Sequence, residues 1–451
     1  MSEHDVKKTY LDKVCSAVRW KQAHDTIRRE LSDHIEDQAE AFMAEGLSPD
    51  EAMEKAVLEM GDAEEVGYGL DASYRPCDVM GIAVPIAGLV LIGLICRIWV
   101  TNTPVDAKYI AAIIIGAVCA FALYNVNLYK FAKWSGVVYI FSLVAVFFAV
   151  IYMNIGSERR WLYVNNPVVY YAVCLSPAIF AGLLYTQREK GIKGLLLCGI
   201  APAALCLMLH TIPSLTGVMG IVMCYLFILS VAIMLGIFGS KKTLLFAVLY
   251  GGTLLAAVVM LCVLSDYQLA RLTIMFHPEL EPYGMGWIGS IIREIVENAK
   301  FIGASEYTIA AMGDDVARLG NFLYSIKWDY LLTLILYKYG WLSTITVILV
   351  LADFLVIGFK RVFRLGSTLG KLLACGIMAS FAVQTAGYIA CNLGVFTYAP
   401  LPLPFISHGN TALVINLAMA GMLLSLLRTD GLYTDAPAGK AKRLKIRFEW
   451  K

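Results

Sequence analysis

Long apolar runs recur along most of the chain, and short polar segments separate them. After Arg75-Pro76 each run holds about 20 residues, the length of helix that crosses a hydrocarbon core of ~30 Å. The pattern predicts ten membrane-spanning helices, near 79–100, 109–129, 134–155, 167–187, 192–210, 216–238, 242–265, 329–358, 369–393 and 407–427. The predicted fold class is therefore all-α, a polytopic membrane protein of about ten transmembrane helices.

The first 75 residues follow a different pattern, with frequent charges and a single apolar stripe. The stripe has helical spacing and consists of Ile27, Leu31, Ile35 and Phe42. Gly46 ends this helix, and Ser48-Pro49-Asp50-Glu51 begins another as a capping box with proline in the first turn. Gly61 likewise ends the second helix, and Asp62 caps the start of a third. The prediction is a small bundle of three short helices.

Composition agrees with a membrane protein and excludes other classes. Hydrophobic residues make up 59% of 451 and charged residues 16%, whereas a soluble domain is about half apolar and a quarter charged. The net charge is only +2 and the basic residues are scattered, so we expect no nucleic-acid partner. The eleven cysteines form no CxxC pair, which argues against a zinc site and a disulfide framework.

Lysine and arginine residues predict the orientation, because they concentrate in cytoplasmic loops. They fall in alternate short loops, at Lys130 and Lys133, Arg188, Lys190 and Lys193, Lys241 and Lys242, and Lys360, Arg361, Arg364 and Lys371. Both termini are then cytoplasmic. The predicted domains are a helical domain (1–75), a membrane domain (76–430) with a long extracytoplasmic loop (266–328), and a basic tail (431–451). A loop of this length is usually functional or disordered.

Asp329 is a carboxylate at the edge of an apolar run, where the long loop re-enters the membrane. A helix start favours negative charge, and Trp328 and Tyr330 fit an interfacial aromatic belt, so the residue could simply lie in the headgroup zone. Ionisable residues at such positions also mark functional sites. The residues of this stretch alone leave both interpretations open.

The stretch Pro400-Leu-Pro402-Leu-Pro404-Phe-Ile-Ser407-His408-Gly409 cannot form a continuous helix. Its prolines remove backbone donors and favour extended conformations in the residues before them. Non-helical backbone at membrane depth must be buried in protein or line a wet cavity. The stretch is therefore a stiff loop that leads into the last span, and it can also line a cavity.

Three stretches in order resemble the SEDS family (shape, elongation, division and sporulation), the RodA, FtsW and SpoVE group. Asp266 to Trp287 is similar to the family's YQxxRxxxFxxPxxDPxGxG loop. Phe322 to Leu332 is similar to FLPExHTDFIF, with Asp329 on the family's essential aspartate. The proline stretch is similar to GxPLPFISYGGS, and Asn392-Leu-Gly394 precedes it where members carry NIG.

The resemblance implies a peptidoglycan glycosyltransferase of the bacterial cell membrane that polymerises undecaprenyl-linked lipid II, beside a class B penicillin-binding protein. It implies that Asp329 is the catalytic base or a ligand for a divalent cation, Mg²⁺ or Mn²⁺. Candidate substrate-binding residues are Lys327, Arg271, Gln384, Ser407 and His408. Interface snorkelling or loop packing explains Lys327 and Arg271 better than substrate contact does, and helix–helix hydrogen bonding explains Gln384 at least equally well.

Several family residues are replaced. The glutamate before the aspartate is Ser325, its His-Thr pair is Lys327-Trp328, and a charged stretch of the fourth span is replaced near Tyr170 to Val173. The alternative is a non-catalytic SEDS-like scaffold or sensor in envelope assembly. A second alternative, a transporter of lipid-linked sugars, fits less well because most spans carry no charge.

The polar first domain has a resemblance of its own. The stretch from His34 to Val66 is similar to the cytoplasmic permease-prefix domain of the HAAS type that precedes many bacterial membrane proteins. This resemblance implies interaction or regulation through a cytoplasmic partner, and no chemistry.

Overall fold

The structure is a computed structural model that describes residues 3–131, 134–154, 167–210, 215–305, 322–323, 327, 329–396, 401–406, 409–430 and 432. These residues form helices and no strand, which confirms the predicted all-α class. The chain divides into two compact units. Within the described residues, unit 1 comprises 3–78 together with 428–430 and 432, and unit 2 comprises the described part of 79–427.

Unit 1 contains four helices around one hydrophobic core. They are α1 (Glu3–Ala17), α2 (His24–Ala44), α3 (Pro49–Glu59) and α4 (Ala63–Ser73). The prediction of three helices was wrong, because it missed α1. The frequent charges of α1 make its short apolar face difficult to recognise in the sequence. That face includes Val14 and Cys15, which are buried in the same core as Ile27 and Ile35.

The predicted helix boundaries in unit 1 have the expected capping contacts. The backbone N–H and the Oγ of Ser48 both donate to Glu51 Oε2, at 3.2 and 2.7 Å. Asp62 Oδ1 accepts hydrogen bonds from the N–H groups of Glu64 and Glu65, at 2.9 and 3.0 Å. Each cap satisfies amides that the first turn of a helix leaves without intrahelical partners.

A segment from the far end of the sequence completes unit 1. The Cys77 N–H donates to the Arg428 carbonyl at 3.2 Å, and Arg428 Nη2 donates to Gln22 Oε1 at 3.1 Å. Leu432 is 3% exposed and belongs to the core formed by the helices of this unit. The sequence pattern places Leu432 in a separate basic tail, because a single leucine among polar residues gives no periodic signal.

Unit 2 contains the apolar helices. They are α5 (Met80–Ile95, continued by a π-helical turn over Cys96–Val100), α6 (Ala107–Asn125), α7 (Leu128–Phe131), α8 (Ser135–Asn154), α9 (Pro167–Thr186), α10 (Gly191–His210), α11 (Leu215–Met234), α12 (Lys242–Val263), α13 (Asp266–Phe276), α14 (Trp287–Asn298), α15 (Leu331–Tyr339), α16 (Trp341–Arg364), α17 (Thr368–Asn392) and α18 (Asn410–Arg428).

Ten of these helices correspond to the predicted spans. Within the described residues, eight helices are long and apolar enough to cross a membrane. Two further apolar helices, α8 and α9, have 20 residues each. The protein is therefore a multi-pass membrane protein. Helix α17 lies at the centre of unit 2, packing against α9, α11, α15 and α16.

The predicted span 329–358 is wrong at its start, because the structure divides it into α15 and α16. The break is at Gly340, whose φ is 83°, a backbone conformation that favours glycine. The Trp341 N–H donates to the Lys300 carbonyl at 3.0 Å, and a Cβ on Gly340 would lie 2.6 Å from the same oxygen. Asp329 consequently precedes a short separate helix, and the spanning helix begins at Trp341.

Helix α14 is amphipathic, and in sequence its isoleucines fit a helix on the outer membrane surface. In the structure, Ile291, Ile292 and Ile295 are fully buried within the protein. Ile292 packs in one cluster with Tyr330 and Cys391. An amphipathic pattern looks the same in sequence whether its apolar face meets lipid or protein, so only the tertiary fold distinguishes the two.

We expect Leu432→Ala to destabilise unit 1 by about 2–5 kcal/mol, because it removes a buried side chain and leaves a cavity. The matched control is Leu58→Ala, since Leu58 in α3 is 82% exposed and should change stability by less than about 0.5 kcal/mol. Hydrogen exchange of α1 to α4 in the full chain measures both. Equal exchange in the two variants would show that residues 428–434 do not support the bundle.

Candidate active site

The candidate site is centred on Asp329, two residues before α15. Its side chain is half-buried, and within the described residues its carboxylate has no ion-pair partner. Burial raises the pKa of this carboxyl above its ordinary value. A half-buried carboxylate without a counter-ion is a stronger proton acceptor than an exposed one.

Side chains from α17 hold the backbone around Asp329. The residue before α15 is Tyr330, whose side chain does not cap the helix. The Leu331 N–H donates to Tyr388 Oη at 2.9 Å, and the Thr333 N–H donates to Asn392 Oδ1 at 3.1 Å. Asn392 Nδ2 donates to the Asp329 carbonyl at 3.3 Å. The first turn of α15 is thus capped by a neighbouring helix.

Tyr388 and Asn392 belong to a polar stripe on α17. Gln384, Tyr388 and Asn392 are spaced four residues apart, so they lie on one face of the helix, and all three are fully buried. Thr333 is fully buried as well, and its Oγ1 donates to the Asn392 carbonyl at 2.9 Å. The predicted residue Gln384 therefore lies two turns along the helix from the side chain that contacts Asp329.

Lys327 contacts the loop that follows the first span. Its Nζ donates to the Thr101 carbonyl and to Thr103 Oγ1, both at 3.2 Å. Lys338 of α15 donates to the Val100 carbonyl at 2.7 Å. Two ammonium groups therefore lie at the carboxyl end of the first spanning helix, where the helix dipole favours positive charge.

An ion pair fixes the same loop. Arg97 Nη2 contacts Asp106 Oδ1 at 2.9 Å, and its Nε donates to the Pro104 carbonyl at 3.2 Å. The Arg97 guanidinium also lies over the Tyr109 ring, 4.3 Å from its centroid. Arg97 therefore holds the loop of residues 101–106, whose Thr101 and Thr103 bind the Lys327 ammonium group.

The described part of the proline stretch, residues 401–406, is buried in unit 2. Phe405 packs against Phe354 and Phe381, with ring centroids 5.8 and 5.3 Å apart, and its φ of 64° is unusual for a residue other than glycine. A Cβ on Gly93 of the first span would lie 2.6 Å from the Phe405 carbonyl oxygen, so glycine allows this close approach. The burial meets the requirement for non-helical backbone at membrane depth.

The remaining predicted site residues are not all brought together. Arg271 is half-buried on α13 and makes no ion pair with Asp329. Ser407 and His408 lie outside the described residues. The structure thus connects Asp329 to α17, whereas the substrate-binding roles of Lys327, Arg271, Gln384, Ser407 and His408 stay predictions.

Arg293 of α14 is a structural residue that the sequence analysis missed. Its guanidinium donates to the Gly394 carbonyl at 2.9 Å, to the Phe276 carbonyl at 2.6 Å and to Glu279 Oε2 at 2.6 Å. Hydrogen bonds from its own backbone N–H and from His277 hold the pKa of Glu279 below its ordinary value, and the charge of Arg293 adds to this. One side chain therefore ties the loop after α13 to the turn after α17.

The described residues do not form a resident metal site. Among them, no group of three or more histidine, cysteine, aspartate or glutamate residues could hold a metal ion. Asp329 is a single carboxylate. This donor set matches a cation shared with substrate phosphates, since Mg²⁺ is usually bound through one or two carboxylates plus such phosphates.

The fold and the site define a class, a multi-pass membrane protein with a half-buried carboxylate held by a central helix and, elsewhere in unit 2, a buried proline loop. Comparison with known proteins supplies the family. The FtsW, RodA and SpoVE family model, described as "Cell cycle protein", matches residues 101–431. Since the match includes well over half of the sequence, the chain belongs to this family, which the SEDS resemblance predicted. The match does not include the N-terminal helices.

Two relatives and one solved structure show what the chain is similar to. The probable peptidoglycan glycosyltransferase FtsW of Trichlorobacter lovleyi is 29% identical over 194 residues, 42% of this chain and 48% of the relative. The protein of the same description from Idiomarina loihiensis is 24% identical over 280 residues, 60% of this chain and 65% of the relative. The chain therefore spans less than two thirds of either relative.

The solved structure supports the fold. It is a chain from "Structural coordination of polymerization and crosslinking by a peptidoglycan synthase complex". The TM-score is 0.58 at 17% identity, over 78% of this chain and 98% of the other. At this identity the likeness concerns the fold alone.

We expect Arg293→Lys to loosen the loop after α13, because one ammonium group cannot reach all three acceptors of the guanidinium fork. Loss of one charge-assisted hydrogen bond, ~1.5 kcal/mol or more, should speed amide exchange around His277 about tenfold. Hydrogen-exchange mass spectrometry on 276–286 measures this. Glu297→Gln, an exposed change on the same helix, is the control, and unchanged exchange in Arg293→Lys would contradict the role of Arg293.

Proposed function

We propose that this protein is a membrane glycosyltransferase that polymerises lipid II into the glycan strands of peptidoglycan. One observation carries the proposal. In a chain of the FtsW, RodA and SpoVE family, Asp329 is a half-buried carboxylate that forms no ion pair with the described residues, and its backbone is held by α17. The names of the two FtsW relatives support the same activity.

The proposed chemistry is a single displacement at an anomeric carbon. The hydroxyl of an acceptor sugar gives its proton to the Asp329 carboxylate as its oxygen forms the new glycosidic bond. The bond from the anomeric carbon to the diphosphate breaks, and undecaprenyl diphosphate leaves with the electron pair. One displacement inverts the anomeric centre, so one carboxylate is sufficient, whereas glycoside hydrolysis uses two.

The leaving diphosphate needs positive charge. Lys327 is our first candidate, because it precedes Asp329 by two residues and the loop after the first span holds its ammonium group, and Arg271 is the second. If Asp329 instead serves as a ligand for a divalent cation, that ion would supply the positive charge that the leaving diphosphate needs. Gln384, Ser407 and His408 are candidate contacts to the rest of the substrate.

The proposed setting is the bacterial cell membrane, with both termini in the cytoplasm. Lysine and arginine residues fall in every second short loop, and this alternation supports the orientation. We propose a class B penicillin-binding protein as the transpeptidase partner, supported by the similarity to a chain of a peptidoglycan synthase complex. We further propose that the HAAS-like N-terminal bundle recruits a cytoplasmic partner.

A non-catalytic scaffold is the second candidate, and specific residues favour it. Ser325 and Lys327 replace polar residues of the family pattern, and the Lys327 ammonium group already donates to Thr101 and Thr103. A scaffold would keep the fold and lose polymerisation. A transporter of lipid-linked sugars is the weakest of the three functions.

The test supplies labelled lipid II to the purified full chain, with and without Mg²⁺ or Mn²⁺ and with a class B transpeptidase. We expect wild type to form glycan and Asp329→Asn to lose at least about a hundredfold in rate, because the amide cannot accept the proton. The control is Asp353→Asn, an exposed aspartate of α16, which should retain the wild-type rate. No glycan from wild type under all conditions would favour the scaffold.

A further inference from the structure

The first turn of α15 depends on another helix for its caps, although helices are commonly capped by their own preceding residue. The acceptors for the N–H groups of Leu331 and Thr333 both come from α17. We infer that Tyr388 and Asn392 are positioning residues, which fix the direction of the Asp329 carboxylate through the backbone on both sides of Tyr330. The inference deepens the proposed function and rests on it.

The contacts leave the Asp329 backbone little freedom to move. On its carbonyl side, Asn392 Nδ2 donates to the Asp329 oxygen at 3.3 Å. Further along the chain, the Leu331 and Thr333 amides are bound at 2.9 and 3.1 Å. The backbone of the tripeptide from Asp329 to Leu331 is therefore fixed at both ends by two side chains one helical turn apart.

The orientation of the Asn392 amide follows from its neighbours. Its Nδ2 faces two carbonyl oxygens, those of Asp329 and Tyr388, at 3.3 and 2.9 Å. Its Oδ1 faces the Thr333 N–H, a donor that cannot act as an acceptor. A flipped amide would place like groups against each other, so donor and acceptor ends are both specified.

Burial makes these contacts strong. Tyr388, Asn392 and Thr333 are each fully buried, so water does not compete for their hydrogen bonds. The position of the Asp329 carboxylate is consequently fixed relative to α17, the central helix of unit 2. Reactions that need close alignment lose about a hundredfold in rate from a shift of roughly 1 Å.

The first experiment compares two tyrosine variants of the full chain. Tyr388→Phe removes the acceptor for the Leu331 N–H and keeps the ring. Tyr225→Phe is the matched control, because Tyr225 of α11 is 1% exposed and its hydroxyl lies 3.1 Å from that of Tyr139. We expect Tyr388→Phe to lower kcat for lipid II about tenfold or more with KM changed less than about twofold. Tyr225→Phe should leave both constants unchanged.

A second pair repeats the comparison with threonine. Thr333→Val removes the hydroxyl that donates to the Asn392 carbonyl, whereas Thr344→Val removes one that donates to the Gly340 carbonyl at 3.2 Å. Both threonines are fully buried. We expect kcat to fall only in Thr333→Val. Equal kcat in each matched pair would overturn the inference.

A double-mutant cycle separates positioning from general stability. If Tyr388 acts through Asp329, Tyr388→Phe should lower the rate in the wild-type background and add less than about twofold to the loss in Asp329→Asn. A merely structural role would lower the rate by the same factor in both backgrounds. That result would reject positioning.

Hydrogen exchange tests the geometry without any activity. Amides of Leu331 to Ile335 should exchange about tenfold faster in Tyr388→Phe than in wild type, and no faster in Tyr225→Phe. Unchanged exchange overturns the inference even where the enzyme is active. Conversely, wild-type activity in Asp329→Asn would defeat the catalytic role of Asp329, while faster exchange in Tyr388→Phe would still support the cap.

Discussion

The capping of α15 by α17 is the interaction on which the candidate site depends. A helix start leaves backbone N–H groups without intrahelical partners, and burying them without acceptors is costly. Tyr388 and Asn392 supply those acceptors from the central helix of unit 2. The same Asn392 side chain also binds the Asp329 carbonyl, so one structural requirement, satisfying buried amides, also holds a carboxylate in place.

The surrounding elements support this junction from several directions. The pairing of Lys300 with Trp341 ends α15 and begins the spanning helix, and Arg293 ties the loop after α13 to the turn after α17. Ile292 of α14 packs in one cluster with Tyr330 and Cys391. Asp329 therefore lies in a region where long-range contacts, more than local helix propensity, determine the backbone.

Much of the fold could be predicted from sequence, because membrane-length apolar runs and caps such as Ser48–Glu51 are local signals. The division of the eighth predicted span could not, since it depends on Lys300 approaching Gly340 in the folded state. The assignment of Leu432 to unit 1 and the burial of α14 were missed for the same reason. In the site, Asp329 could be predicted because it lies in a sequence motif. The only sequence feature that marks Tyr388 is its spacing of four residues from Gln384 and from Asn392, which places the three on one helix face.

The central claim is that the Asp329 carboxylate accepts a proton during glycan formation. Chemical rescue tests it most directly, with lipid II polymerisation measured for Asp329→Ala over a series of formate concentrations. The account predicts a very low rate without formate and a rate that rises with formate, a small carboxylate able to replace the missing one. An Asp329→Ala variant that polymerises lipid II at the wild-type rate without formate would contradict it.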